Sequence, residues 1–256
     1  MSVALLVVPC GLIIGINNER SIAAGCAKAF ARNGMRMAAT YYKDKNRLYL
    51  ESQRHHLKLD EILLLDVRDD AQLDAVFYAM RQRWGKLDFL LHSIAFAPKD
   101  DLHGRTVDCS RTGWAEAMDV SVHSLIRMAR HAEALMPDGG SILTVSYYGG
   151  ERVVPHYNMM GPVKAALEGT VKYLAAELGP RGIRVNALSP GPILTRAASG
   201  IADFDELIVA TRERAPEHEA VTIDDVGAMA AFLVSDAARH ITGNVMYIDS
   251  GYHVMG

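Results

Sequence analysis

The chain has 256 residues, half of them apolar and 22% charged, with a formal net charge of −3. That balance describes a folded chain with a sizeable core and excludes a disordered or fibrous one. No lysine/arginine block invites nucleic acid, three widely spaced cysteines without a C-x-x-C exclude a disulfide framework, and ten scattered histidines without metal-site spacing predict no metal centre.

The opening "MSVALLVVPCGLIIG" is almost wholly apolar but lacks the basic region of a secretory signal. Pro9 and Gly11 break a run already short for a membrane span. It reads as a variable leader before a buried strand, "GLIIGI" (11–16), and the chain is expected to be cytoplasmic with no membrane partner. "SIAAGCAKAFARNG" predicts a helix from Ser21 to Gly34, "MRMAATYY" a second strand, and residues 43–56 a polar helix. "EILLLDV" is a strand ending at Asp66, and "AQLDAVFYAMRQRWG" a helix. "LDFLLHSIA" is the next strand, followed by a long helix over about 112–136. "SILTVSY" is a strand before another long helix over about 157–178. "IRVNALSPG" is a strand with its exit loop, "IDDVGAMAAFLVSD" a helix, and "NVMYIDSG" the last strand.

These short strands are apolar throughout, as parallel strands covered on both faces are. With helices alternating between them, they predict an α/β fold: a Rossmann-like, doubly wound parallel sheet of about seven strands with helices on both faces. No repeat or linker interrupts it, so one domain over 1–256 is expected. Residues 190–222, "PGPILTRAASGIADF" among them, are the longest stretch without a strand signal and form a lid candidate.

Gly15 ends the first strand, where a glycine lets the backbone turn beside a ligand. The helix that follows offers free N–H groups suited to a pyrophosphate, with Ser21 as cap or phosphate donor. The G-x-G-x-x-G fingerprint is absent; Gly15 and Gly25 alone remain, and an ordinary strand-to-helix turn fits equally well. At the second strand end, Tyr41, Tyr42 and Lys43 stand where many such folds place an acidic residue on the adenosine ribose. NADH and NADPH both stay open, since Lys43 and Arg47 are suited to a 2′-phosphate. Asp66 ends the third strand, where a carboxylate can meet the adenine amino group.

Tyr157 and Lys164 are seven residues apart. On a helix that spacing returns to within about 20° of the same face and separates the Cα atoms by roughly 10.5 Å, so a ligand can lie across both. Any amphipathic helix has such pairs. However, Ser93, Ile94, Ser146, Tyr147 and Tyr148 lie at strand ends, where open α/β sheets bind ligands.

The Y-x6-K spacing with a second tyrosine ten residues upstream, in "SYYGGERVVPHYNMMGPVK", resembles the enoyl-[acyl-carrier-protein] reductases, a divergent branch of the short-chain dehydrogenase/reductase family. Most of that family uses Y-x3-K, and the position four before Lys164 is Met160. "GINNERSIAAG", "HSIAFAP", "GIRVNALSPGPILTRAASGI" and "YIDSGYHV" extend the match over nearly the whole chain. The resemblance implies hydride transfer from NADH, or NADPH, to the β-carbon of a trans-2-enoyl thioester carried by acyl carrier protein, the last reductive step of fatty acid elongation. It implies Tyr157 on the thioester oxygen, Tyr147 as a second pocket hydroxyl, and Lys164 on the nicotinamide ribose. Gly15, Ser21 and Ile22 would hold the pyrophosphate, Tyr42 the adenosine ribose, Asp66 and Val67 the adenine, and Ile94 the length of the cofactor. Ile193, Leu194, Thr195, Arg196 and Ala197 would cover the nicotinamide side, Ala97 would touch the acyl substrate, and the assembly would be a homotetramer. One departure stands out: family members carry basic residues on the lid where the acidic carrier docks, whereas this chain has Asp205, Glu206, Glu217 and Glu219 there. A carbonyl reductase using Ser146 and Tyr157, a paralogue acting on coenzyme-A or other small enoyl thioesters, and a nucleotide-binding scaffold without activity are the competing expectations.

Overall fold

In a computed structural model, which describes residues 8–195 and 204–255, seven parallel strands form one sheet. They are β1 (Cys10–Ile14), β2 (Arg36–Tyr41), β3 (Leu59–Leu64), β4 (Phe89–His92), β5 (Gly140–Val145), β6 (Ile183–Pro190) and β7 (Val245–Ile248). Their spatial order is β3-β2-β1-β4-β5-β6-β7. The chain therefore winds outward from β1 to β3, crosses back to β4 beside β1, and winds out the other way. Ile14 pairs in register with His92 at that reversal, so the exits of β1 and β4 diverge from one point. The central strands β1 and β4 are buried along their whole length, while β3 and β7 are half-buried edges.

Between the strands lie α1 (Ile22–Arg32), α2 (Asp44–Gln53), α3 (Asp70–Trp84), α4 (Lys99–His103), α5 (Arg111–Met118), α6 (Ser124–Glu133), α7 (Met160–Leu178), α8 (Phe204–Arg214) and α9 (Ile223–Val234). Two separate cores cover the sheet. One packs Phe77, Met80, Leu125, Met128, Val163 and Leu167 from α3, α6 and α7. The other packs Ala23, Ala27, Phe30, Val226 and Leu233 from α1 and α9.

Three expectations shift. Gly25, grouped with Gly15 by the sequence, sits inside α1 and faces α9: a Cβ there would lie 2.1 Å from the Ile223 carbonyl oxygen, so it serves helix contact rather than phosphate. The long helix over 112–136 is broken into α5 and α6 by a π turn at Asp119–His123. The extra residue turns Ser121 inward, where its Oγ bonds both the N–H and the carbonyl of Phe96, at 3.0 and 3.2 Å. Finally, the helix read as starting at Tyr157 starts at Met160.

Candidate active site

The exits of β1, β4, β5 and β6 surround a cavity that encloses about 1120 Å³, its solvent-open mouth included. A second cavity at the exits of β1, β2 and β3 shares Gly15, Asn17, Ile94, Ala95 and Phe96 with the first. The two form one cleft across the carboxyl edge of the sheet, centred on the reversal between β1 and β4, the place where open parallel sheets take nucleotides.

Gly15 is needed at that centre. Its φ is +112°, and a Cβ would lie 1.9 Å from the Ser93 carbonyl oxygen, so no side chain fits between the two strand exits. The chain then reaches α1 through Asn17, whose carbonyl accepts from Asn46 Nδ2 at 2.8 Å. Ser21 takes the N-cap position, yet its hydroxyl donates to the Asn18 carbonyl at 2.7 Å and caps nothing. No acidic side chain occupies the first turn of α1. Ser21 and Ile22 line the cavity, so the partial positive charge at the start of α1 faces it without a protein partner for capping. This uncapped end fits a dinucleotide pyrophosphate.

At the other end, Tyr42, Asp66 and Val67 line the second cavity as the sequence predicts. Tyr42 is 50% exposed, with Lys43 Nζ 5.6 Å from its ring centre. Arg68, which the sequence reading passed over, sits among them. It donates to both Asp66 oxygens, at 3.0 Å from Nε to Oδ1 and 2.8 Å from Nη2 to Oδ2. It also donates to the Tyr42 hydroxyl and to Glu116, each at 2.9 Å. Its hydrogen bond holds the Asp66 carboxyl below the ordinary range. A strand-end Arg two residues after an Asp looks like any surface pair in one dimension; the convergence on Tyr42 is a tertiary fact.

Tyr147, Tyr157 and Lys164 meet on the wall of the first cavity. Tyr157 lies in the turn before α7, between His156 and Asn158, both at positive φ (63° and 44°). This left-handed pair, unusual for non-glycine residues, is held by Asn158 Nδ2 donating to the Leu102 carbonyl at 2.8 Å. The helical-face argument for Tyr157 and Lys164 therefore fails in its premise: the pair converges through a strained turn, not through two helical turns. Gly149 lets the tyrosine ring in, since a Cβ there would lie 2.4 Å from Tyr157 Cδ1. The Tyr147 and Tyr157 rings pack edge-on at 4.9 Å. Neither hydroxyl hydrogen-bonds to another group among the described residues. Burial first, and nearby phenols and carboxylates second, push both phenols well above their usual pKa, so both are proton-bearing donors aimed at the cavity.

Lys164, 5% exposed, donates from Nζ to the Val145 carbonyl at 2.7 Å. Burial lowers its pKa to about 8, opposed by the charge of Glu168. Beneath it, His92 at the end of β4 is fully buried, 2.9 Å from Thr144 Oγ1 and 2.8 Å from Ser124 Oγ. Ser124 donates its own proton to the Val120 carbonyl, so His92 Nε2 donates to it, and in the neutral ring Nδ1 is left to accept from Thr144. Burial, then the Lys164 charge, brings its pKa down to about 3.

Ser146 lines the first cavity too, but its hydroxyl is engaged elsewhere. Only 2% exposed, it donates to Glu168 Oε1 at 2.6 Å, turned toward α7. Ile94, Ala97, Ile193 and Thr195 line the first cavity; Leu194 does not, and is 48% exposed. Arg196 and Ala197 lie outside the described residues, as does the part of the lid candidate over 196–203.

A doubly wound parallel sheet, a helix start bared at the β1 exit and a tyrosine–lysine couple at the β5 edge define the class: a dinucleotide-binding α/β reductase of the short-chain type. The family model described as enoyl-(acyl carrier protein) reductase matches residues 15–253. The chain belongs to that family. It is 49% identical to enoyl-[acyl-carrier-protein] reductase [NADH] 1 of Rhizobium meliloti, over 96% of this chain and 90% of that protein. Among solved structures, the Bacillus cereus enoyl-acyl carrier protein reductase, crystallised with NADP+ and an indole naphthyridinone, superposes with a TM-score of 0.95 at 43% identity, covering 98% of this chain and 99% of that one. The Anaplasma phagocytophilum reductase, in complex with NAD, superposes with a TM-score of 0.93 at 44% identity, covering 97% and 95%. Among the described residues no helix is long and apolar enough to cross a membrane.

Proposed function

We propose that the chain reduces the C=C bond of trans-2-enoyl thioesters carried by acyl carrier protein, with NADH, in the last reductive step of fatty acid elongation. Bound in the cleft, NADH supplies the hydride for the β-carbon. The residues do the rest. The start of α1 with Gly15, Ser21 and Ile22 takes the pyrophosphate; Tyr42, Asp66 and Val67 take the adenosine; Ile94, Ile193 and Thr195 flank the nicotinamide half. Lys164 holds the ribose hydroxyls and adds positive field. Negative charge grows on the thioester oxygen as hydride reaches the β-carbon, the buried Tyr157 hydroxyl donates a hydrogen bond to it there, and a proton from solvent or through Tyr157 then completes the α-carbon. Tyr147 is the second donor, and Ala97 borders the acyl chain.

One observation carries this reading over carbonyl reduction. A ketone reductase of this class needs a serine donor beside its tyrosine, and here the Ser146 hydroxyl is committed to Glu168. Tyr147 and Tyr157 line the same cavity, and neither hydroxyl bonds another group among the described residues. NADH oxidation followed with crotonyl and acetoacetyl thioesters tests it: turnover of crotonyl thioester alone is expected, and preferential use of acetoacetyl thioester overturns the reading.

The acidic start of α8, with Asp205 and Glu206, and the exposed Glu217 and Glu219 face a carrier that is itself acidic. Arg214 is taken up on the Tyr252 ring, 5.8 Å from its centre. We expect carrier-linked substrate still to exceed coenzyme-A-linked substrate in kcat/KM, and Asp205→Lys with Glu206→Lys to raise carrier-linked kcat/KM about three- to tenfold at low salt while leaving the coenzyme-A value unchanged. An unchanged carrier value would place docking elsewhere. A single domain over 1–256, a cytoplasmic location and a homotetramer complete the proposal; size-exclusion chromatography with light scattering measures the last.

A further inference from the structure

Lys164 and Glu168 stand one helical turn apart on α7, and each grips the end of β5. Lys164 donates to the carbonyl of Val145, and Glu168 accepts from the hydroxyl of the next residue, Ser146. The residue after that is Tyr147, whose ring packs on Tyr157. The turn at Tyr148–Gly150 closes over the same spot: a Cβ on Gly150 would lie 3.0 Å from Glu168 Oε1 and 3.1 Å from the Lys164 carbonyl carbon. A side chain there would press on the carboxylate and on the α7 backbone. Ser146 is further held by its N–H donating to the Leu188 carbonyl at 2.7 Å.

A half-buried carboxylate in such a place needs a reason, because burying a charge costs free energy unless it is paired or hydrogen-bonded. Glu168 has one short hydrogen bond, and of the two lysines that act on it, Lys164, which the mechanism requires to be cationic, acts more strongly than Lys172. We propose that Glu168 is a positioning residue for the reductase centre, anchoring the β5 exit through Ser146 and keeping Lys164 charged for the cofactor. The inference rests on the enoyl-thioester reading above.

The electrostatics agree in sign. Burial lowers the Lys164 pKa to about 8, and Glu168 is the group that opposes the fall. Burial raises the pKa of Glu168 itself, with the Ser146 hydrogen bond and the charges of Lys164 and Lys172 acting against it and Glu151 acting with it. The remaining groups that face the pair are Tyr157 and Tyr247, both uncharged phenols with raised pKa, and His92, held neutral. None of these supplies a negative charge to Lys164 at neutral pH.

Glu168→Gln keeps a hydrogen-bonding partner for Ser146 and removes the charge; Ser146→Ala removes the hydrogen bond and keeps the charge. Two readouts separate them: NADH affinity by cofactor fluorescence, and kcat/KM with crotonyl thioester, each from pH 6 to 9. In Glu168→Gln the alkaline limb of NADH binding is expected to move about one unit toward lower pH, and Glu168→Asp to restore part of it. In Ser146→Ala the limb stays where it is in the unmodified protein while kcat falls. An unmoved limb in Glu168→Gln, with only a lower melting temperature, overturns the proposal. Failure of the unmodified protein to turn over crotonyl thioester would instead overturn the reading of the reaction, and the NADH-binding limb would still be measured.

Discussion

At the scale of single residues, the site turns on two tyrosine hydroxyls without hydrogen-bond partners among the described residues. The Tyr157 hydroxyl is the clearest, since the chain spends two left-handed residues and a glycine to bring it there. Removing a donor aimed at a developing oxyanion slows reactions of this kind by about 100- to 1000-fold. Tyr157→Phe is therefore expected to lower kcat by about that factor while NADH affinity, read by fluorescence, stays within about twofold. A matching loss of NADH affinity would mean that the hydroxyl serves the cofactor. At the adenosine end, Arg68 is tied to Asp66 and Glu116, while Lys43 rests on the Tyr42 ring. Lys43 makes no ion pair among the described residues and can meet a 2′-phosphate. Lys43→Ala is expected to lower the ratio of NADPH to NADH use about threefold or more, and an unchanged ratio would remove Lys43 from cofactor choice.

At the scale of elements, close backbone approach and broken helices do what local propensity does not foretell. α1 and α9 cross at Gly25 and Gly227, where a Cβ would lie 2.1 Å from the Ile223 oxygen and 2.5 Å from the Gly25 oxygen respectively. Alanine at Gly25 gains about 1 kcal/mol of helix propensity but wedges the helices apart. A net loss of about 2 kcal/mol is expected for Gly25→Ala, seen as a melting temperature lower by about 4–8 °C. An equal or higher melting temperature would show that α9 shifts freely. α9 itself is well started: the Thr222 hydroxyl accepts from the Asp225 N–H, and the Asp225 carboxylate accepts from the Thr222 N–H at 2.8 Å. The strand–helix alternation was legible along the chain because buried parallel strands are uniformly apolar. The π turn was not, because its residues keep a helical pattern and only the Phe96 backbone, 25 residues earlier, says which way Ser121 must face.

At the scale of the whole molecule, buried titratable groups tie stability to pH. His92 has a folded pKa of about 3 against roughly 6.5 in an unfolded chain. Its neutral form is the one the fold accepts, so its full contribution is present above pH 6.5 and is lost as pH falls from there toward 3. The slope approaches about 1.4 kcal/mol per pH unit in that window. Urea unfolding at pH 7, 6 and 5 is expected to show this extra slope in the unmodified protein and not in His92→Gln, whose amide can still bond Thr144 and Ser124; parallel slopes would mean that His92 is not the acid-sensitive group. The layout of the protein was open to reading in one dimension: strand count, the parallel sheet, the crevice-lining strand ends and the family all follow from apolar periodicity and from short motifs whose spacing survives translation into residues. Side-chain partnership was not. Ser146 beside Tyr147 reads as a candidate donor until folding commits it to Glu168. Tyr157 and Lys164 read as one helical face until the turn at His156–Asn158 proves to join them. Gly25 reads as a remnant of a glycine pattern with Gly15, of no fixed role, until α9 is laid across it. Periodicity is a property of neighbours along the chain, whereas a hydrogen bond or a steric limit is set by atoms that only the packed sheet and helices bring within a few ångströms.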